Sequence, residues 1–173
     1  MSAIESSILQ FDTSSSEETQ ELGCKLGAVL KPGDVVLLQG ELGAGKTCLT
    51  QGIARGLGIT EQVISPTFIL IGDYRGRVHL YHADLYRLDD PDEVVNLELA
   101  NSTEDGVLIV EWPERDAGSL PPEHLLIHLE HRGPSGRCLT LQPRGPRARA
   151  ILRELSATGD QFALHRGTGK ADS

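Results

Sequence analysis

The sequence predicts an α/β fold: one central, mostly parallel sheet with antiparallel hairpin additions and helices on both faces. Three observations point there. Val35-Val36-Leu37-Leu38-Gln39 is an apolar run of strand length, followed by a glycine-rich turn and a helix with Leu49, Ile53 and Leu57 on one face. Val107-Leu108-Ile109-Val110, and later Leu125 to Glu130, supply two further strands of the kind that is covered on both sides. The turn itself, Gly40-Glu41-Leu42-Gly43-Ala44-Gly45-Lys46-Thr47, fits G-x4-G-K-[ST], which makes the fold class that of the P-loop nucleoside triphosphatases.

Taken in order, Ile4 to Leu9 reads as a short first strand. Ser15-x-x-Glu18 is a capping-box pattern, and Leu22, Leu26, Val29 and Leu30 follow at helical spacing. Lys31-Pro32-Gly33-Asp34 stops that helix and turns the chain into the strand before the P-loop. After the P-loop helix, Gly56 and Gly58 mark its end. Phe68 to Ile71 and Val78 to Tyr81, around Asp73-Tyr74-Arg75-Gly76, form a hairpin. Asp90 caps a helix with Pro91 at its first position, running to about Leu99. Beyond the third parallel strand, Gly133-Pro134-Ser135-Gly136 turns into a returning strand, Cys138 to Leu141, and a helix from Arg147 to Leu155 closes the fold. Residues 1–155 are read as a single domain and 156–173 as a mobile tail, small, polar and without periodicity.

The P-loop spacing has a chemical reason. Glycines let the backbone wrap closely enough to aim successive N–H groups at phosphate oxygens. The N-terminus of the next helix adds partial positive charge. Lys46 reaches the terminal phosphates, and the Thr47 hydroxyl is placed to ligate Mg²⁺. Gly167-Thr168-Gly169-Lys170 resembles the motif only superficially: Leu164 stands where the first glycine belongs, and Ala171 where a hydroxyl is needed.

A net charge of −9 weighs against nucleic-acid contacts over the whole surface. The charge is uneven: six arginines and no acid lie between His131 and Arg153, so the remainder is strongly acidic. That basic end reads either as a solvated face or as a contact for nucleotide phosphate, RNA or a partner protein. Cys24, Cys48 and Cys138 form no CxxC pair, which fits a reducing compartment; no signal-peptide pattern or membrane-length apolar run occurs, so a cytoplasmic location is expected.

Hydrolysis needs a carboxylate near the metal and a group that places the attacking water. Glu111 follows the second apolar strand directly, at the edge where ligand-facing groups of open α/β sheets lie, and is the expected Walker B-like acid. Asp84 is the expected water-orienting or metal-shell residue, with an N-cap or Arg87 partnership as the structural alternative. His82 lies two residues earlier on the same strand face. Thr67 falls in the loop where a γ-phosphate sensor sits in many P-loop proteins. Trp112, the sole tryptophan, either covers the nucleotide or packs; Arg132, after the third strand, is a contact for base or phosphate.

Four stretches in this order resemble the TsaE (YjeE) family: Gly40 to Thr47, Ser65-Pro66-Thr67-Phe68, His82-x-Asp84-x-Tyr86-Arg87-Leu88 and Glu111-Trp112-Pro113-Glu114. The resemblance covers roughly residues 12 to 142. It implies a small ATPase that uses ATP rather than GTP, with Mg²⁺ on Thr47 and Glu111 and an important role for Asp84. It also implies participation in the threonylcarbamoyl modification of adenosine 37 in tRNAs reading ANN codons, with TsaD-type and TsaB-type partners and tRNA engaged indirectly. Glu41 and Cys48 depart from the family's more usual Asp and Thr, and Glu98 falls where a glycine is common. Two other functions share the phosphate cradle: a small-molecule kinase, and a nucleotide-dependent interaction module without hydrolysis.

Overall fold

A computed structural model of the chain describes residues 8–64, 71–88, 99, 103–115, 118–157 and 163–167, the last five by backbone alone. Among these residues eight strands form one sheet: β1 (Ile8–Thr13), β2 (Val35–Gln39), β3 (Ile71–Tyr74), β4 (His79–Asp84), β5 (Gly106–Glu111), β6 (His124–Arg132), β7 (Gly136–Arg144) and β8 (Ala163–Gly167). Their spatial order is β3-β4-β5-β2-β6-β7-β1-β8. The core β4-β5-β2-β6 is parallel throughout, and antiparallel strands extend it on both sides.

The core register aligns the carboxyl edge. Leu38 lies opposite Glu111, which lies opposite Asp84, so β2 enters the P-loop at the level where β5 and β4 end in carboxylates. Side chains alternate on a strand, so Leu80, His82 and Asp84 share the face of Val107, Ile109 and Glu111. That face also holds three helices: α1 (Ser16–Val29), α2 (Lys46–Gly56) and α3 (Pro146–Ala157), whose Leu22, Leu26, Leu49, Ile53, Ile151 and Leu155 join one apolar cluster with the strands. The opposite face buries Val35, Leu37, Leu108 and Val110 against Leu85, Leu88 and Leu99. The helix expected from Asp90 to about Leu99 falls largely outside the described residues.

Helix α1 starts with the Ser15 cap that the pattern predicts: Glu18 N–H donates to Ser15 Oγ at 3.1 Å, while Glu18 Oε2 accepts from the N–H of Ser14, one residue before the cap, at 2.7 Å. The latter bond holds the Glu18 carboxyl below its ordinary pKa. Its packing on α2 is less legible in the sequence. Gly23 and Gly27 on α1 face Gly52 and Gly56 on α2, and a Cβ on Gly52 would sit 2.2 Å from the Gln20 carbonyl oxygen. The two backbones therefore touch.

The expected elements appear with shifted ends. Among the described residues the first strand, Ile8–Thr13, runs on past the expected end at Leu9, the first hairpin strand continues through Tyr74 into the expected turn, and the second spans His79–Asp84 rather than Val78 to Tyr81. Residues 163–167, expected to lie in a structureless tail, form β8, paired antiparallel with β1. An open edge of β1 offers unpaired backbone groups, and five residues suffice to meet them. Among the described residues no helix is long and apolar enough to cross a membrane.

Candidate nucleotide-binding site

The loop after β2 passes directly under β6. At Gly40, φ is 156° and an added Cβ would lie 2.7 Å from the Leu129 carbonyl oxygen, so only glycine passes. Gly45 caps α2 in the left-handed region, φ 103°, and its carbonyl accepts from Leu49 N–H at 2.9 Å. Between them Ala44 N–H donates to the Glu41 carbonyl at 3.0 Å. Leu42, at the loop's outer turn, is 72% exposed.

Lys46 is buried at the start of α2. Its ammonium donates to the carbonyls of Gly40 and Glu41 and lies 4.1 Å from the centre of the Trp112 ring. Desolvation pulls its pKa below the usual lysine value, against the opposing pull of Glu111, Glu114 and Asp84. The next residue, Thr47, has its hydroxyl 3.5 Å from Glu111 Oε1. The sheet register and the helix start thus bring together the hydroxyl and carboxylate that the sequence singled out.

The other Glu111 oxygen is held by His82, Nε2 to Oε2 at 2.6 Å, with both side chains buried. His82 Nδ1 has no partner among the described residues. The tautomer with its proton on Nε2 fits this best: it donates to the carboxylate and leaves only a lone pair unmatched at Nδ1. Asp84 sits beside Glu111 by register, and its Oδ1 accepts from Tyr86 N–H at 2.9 Å. Leu85 N–H donates to the Glu111 carbonyl at 3.1 Å, the last rung of the parallel β4–β5 ladder.

Trp112 adopts φ 58°, a left-handed conformation that a bulky side chain rarely takes. Its N–H donates to the Leu38 carbonyl at 3.2 Å, which turns the chain sharply over the end of β2. The turn lays the indole on Lys46, with Tyr86 packed behind it at 4.8 Å between ring centres. Packing and cover over the loop are therefore combined in one residue.

On the other side of the loop lies a cleft of about 240 Å³, lined by Ser16 and Thr19 of α1, Gly45, Cys48, and Pro134, Ser135 and Arg137 of the β6–β7 hairpin. Arg137 is one of the six arginines of the basic end, and the sequence gives it no role of its own. It reaches across to the P-loop, Nε donating to the Ala44 carbonyl at 2.9 Å and Nη2 to that of Gly43 at 3.4 Å. Only the β6–β7 register, Arg137 opposite His131, puts it there. Arg147, a second of the six, is also an internal fastener: its guanidinium grips both oxygens of buried Asp34 at 2.9 Å. Arg132, by contrast, is exposed at the end of β6, 3.9 Å from Glu130, in a wide cleft shared with Glu41 and His128. Thr67, with the whole Ser65–Phe68 stretch, lies outside the described residues.

Residues 13–139 match the family described as threonylcarbamoyl adenosine biosynthesis protein TsaE. The tRNA threonylcarbamoyladenosine biosynthesis protein TsaE of Bacillus subtilis is 42% identical over 149 residues, 86% of this chain and 94% of that protein. The Treponema pallidum protein of the same name is 42% identical over 73% of this chain and 95% of its own length. The crystal structure of YdiB from Bacillus subtilis superposes with a TM-score of 0.75 at 38% identity, covering 88% of this chain and 96% of that one. With the P-loop, the Glu111-Trp112 turn and the β4 carboxylate at one sheet edge, the chain belongs to the TsaE family.

Proposed function

We propose that this protein is a Mg²⁺-dependent ATP-binding and ATP-hydrolysing accessory subunit for the N6-threonylcarbamoyl modification of adenosine 37 in tRNAs that read ANN codons. The observation that supports it most is the Thr47 hydroxyl facing the Glu111 carboxylate at 3.5 Å, one residue beyond the buried Lys46 ammonium. The donor set fits the cation: a hydroxyl and a carboxylate are hard oxygen ligands, and Mg²⁺ keeps its remaining positions for water and substrate phosphate. The loop fits the phosphates, since Gly40 leaves no room for a Cβ beside Leu129 and Gly45 takes a left-handed φ that favours glycine.

In this reading Lys46 exchanges its loop carbonyls for the terminal phosphates, and the backbone amides around Gly45 hold the phosphate chain. His82 keeps Glu111 turned so that one oxygen faces Thr47. Asp84, beside Glu111, orients the attacking water. Bound Mg²⁺ would supply charge neutralisation between the terminal phosphates. The cleft beside Cys48 adjoins the loop on the side away from Glu111, and its polar lining of Ser16, Thr19 and Ser135 suits a nucleoside. TsaD-type and TsaB-type proteins are the partners this role requires, with tRNA reached through them, in the cytoplasm. Turnover by the isolated protein is expected to be slow, because a partner completes the arrangement around the water.

The test is a metal titration. Glu111→Gln is expected to weaken Mg²⁺ dependence of ATP binding by about 30-fold or more, since losing one interaction with a charged group costs about 2 kcal/mol or more. ATP binding in EDTA should change far less. A titration identical to wild type would remove Glu111 from the site. Phosphate release stimulated by the two partner proteins supports the hydrolytic role; phosphoryl transfer to a small molecule would replace it with a kinase.

A further inference from the structure

Two cations hold four carbonyls of the P-loop. Lys46 takes those of Gly40 and Glu41, whereas Arg137 takes those of Gly43 and Ala44. These two cations are not equivalent. Lys46 belongs to the loop's own helix and, on the function proposed above, leaves its carbonyls for phosphate. Arg137 comes from β7, on a different part of the chain, and is half-buried. Its Nη1 is anchored to the Gly136 carbonyl at 2.8 Å, so the guanidinium plane is fixed at both ends.

The consequence follows from peptide geometry. In a trans peptide the C=O and the next residue's N–H point in opposite directions. Arg137 holding the Ala44 carbonyl therefore turns the Gly45 N–H away from itself. The Ala44 N–H is used internally, donating to Glu41, so the Gly45 amide is the one whose direction this contact sets. Gly45 has no side chain and φ 103°, so Arg137 adds a restraint on the Ala44–Gly45 peptide that the loop's own side chains do not supply.

We propose that Arg137 is a positioning residue of the phosphate cup: it locks the Ala44–Gly45 peptide so that the Gly45 N–H is aimed at phosphate, and it keeps the loop shaped when Lys46 moves. This inference rests on the P-loop acting as a phosphate site. A lysine carries the same charge but lacks the planar fork that spans two successive carbonyls, so the role belongs to arginine rather than to positive charge.

The experiment measures binding of inorganic tripolyphosphate and of ATP to the full chain, for wild type, Arg137→Ala, Arg137→Lys and, as a matched loss of charge at the far end of β7, Arg144→Ala. Both Arg137 variants are expected to lose about tenfold in affinity for both ligands, as loss of one to two hydrogen bonds implies. The Arg144 variant should match wild type. The amide resonance of Gly45 should shift and exchange faster with solvent in both Arg137 variants before any ligand is added. That readout separates aim from general stability, which thermal unfolding of the same samples records. Wild-type affinity in Arg137→Ala, or full retention in Arg137→Lys, would overturn the brace. If wild type fails to bind tripolyphosphate at all, the phosphate-cup reading itself is what fails.

Discussion

Gly52→Ala tests whether the packing of α1 on α2 sets the position of the P-loop. A Cβ at residue 52 would lie 2.2 Å from Gln20 O, 2.7 Å from Gln20 Cα and 2.8 Å from its carbonyl carbon, all backbone atoms that no rotamer change can move aside. Ordinary carbon–oxygen contact is about 3.3 Å or more, so the helices must part by roughly 1 Å. A gap of that size forfeits up to about half the dispersion energy of the atoms that separate. Those atoms include Leu22 and Leu26 against Leu49 and Ile53, all buried. Overpacking of this kind costs about 1–3 kcal/mol, and the better helix propensity of alanine returns up to ~1 kcal/mol. A net loss of about 1–2 kcal/mol corresponds to a fall in Tm of roughly 2–8 °C for a chain of this size. Thermal unfolding checks the stability, and ATP affinity checks the site, because α2 begins with Lys46 and Thr47 and must shift with the packing. A variant as stable as wild type would refute the claim that the backbones touch; a destabilised variant with unchanged ATP affinity would refute the link from packing to site.

His82→Phe removes the donor to the buried Glu111 carboxylate, a hydrogen bond to a charged group worth about 1.5–3 kcal/mol, and should lower both urea stability and Mg²⁺-dependent ATP binding, with His82→Gln recovering part of the binding. Arg147→Ala leaves Asp34 buried with the Lys31 N–H as its remaining described donor, so denaturant titration should show a loss of about 2 kcal/mol, below the full cost of breaking a buried pair because Arg147 is itself partly exposed. Glu18→Gln should lower Tm at neutral pH. The Glu18 carboxyl is held below its ordinary value, so its contribution is present above the unfolded pKa and lost as pH falls through the folded one. Wild type and variant should therefore converge in strongly acidic solution, and a gap that persists there would show that the side chain acts by shape.

Much of the architecture is a local property of the chain. The apolar runs Val35 to Leu38 and Val107 to Val110 leave no surface for water, so they become neighbouring central strands. Ser15 and Glu18 start α1 as their spacing requires. Of the candidate site, Lys46, Thr47, Glu111 and Asp84 could be named in advance, since each ends a strand or opens a helix and the parallel register brings those ends to one edge.

Other features depended on residues far apart in sequence. Nothing in the order of residues says that Arg137 will meet Ala44 or that Arg147 will grip Asp34, because long side chains at strand and helix positions choose partners only after the sheet has closed. His82 could be placed on the right face, but its bond to Glu111 needs β4 and β5 paired in one register. The glycines at 23, 27, 52 and 56 read singly as weak helix formers or stops, and only two docked helices reveal them as a contact surface. Periodicity and motif spacing report how a segment satisfies its own backbone and which face it hides. The sharing of carbonyls, carboxylates and backbone contact between segments is decided by distance in space, which is a property of the folded chain.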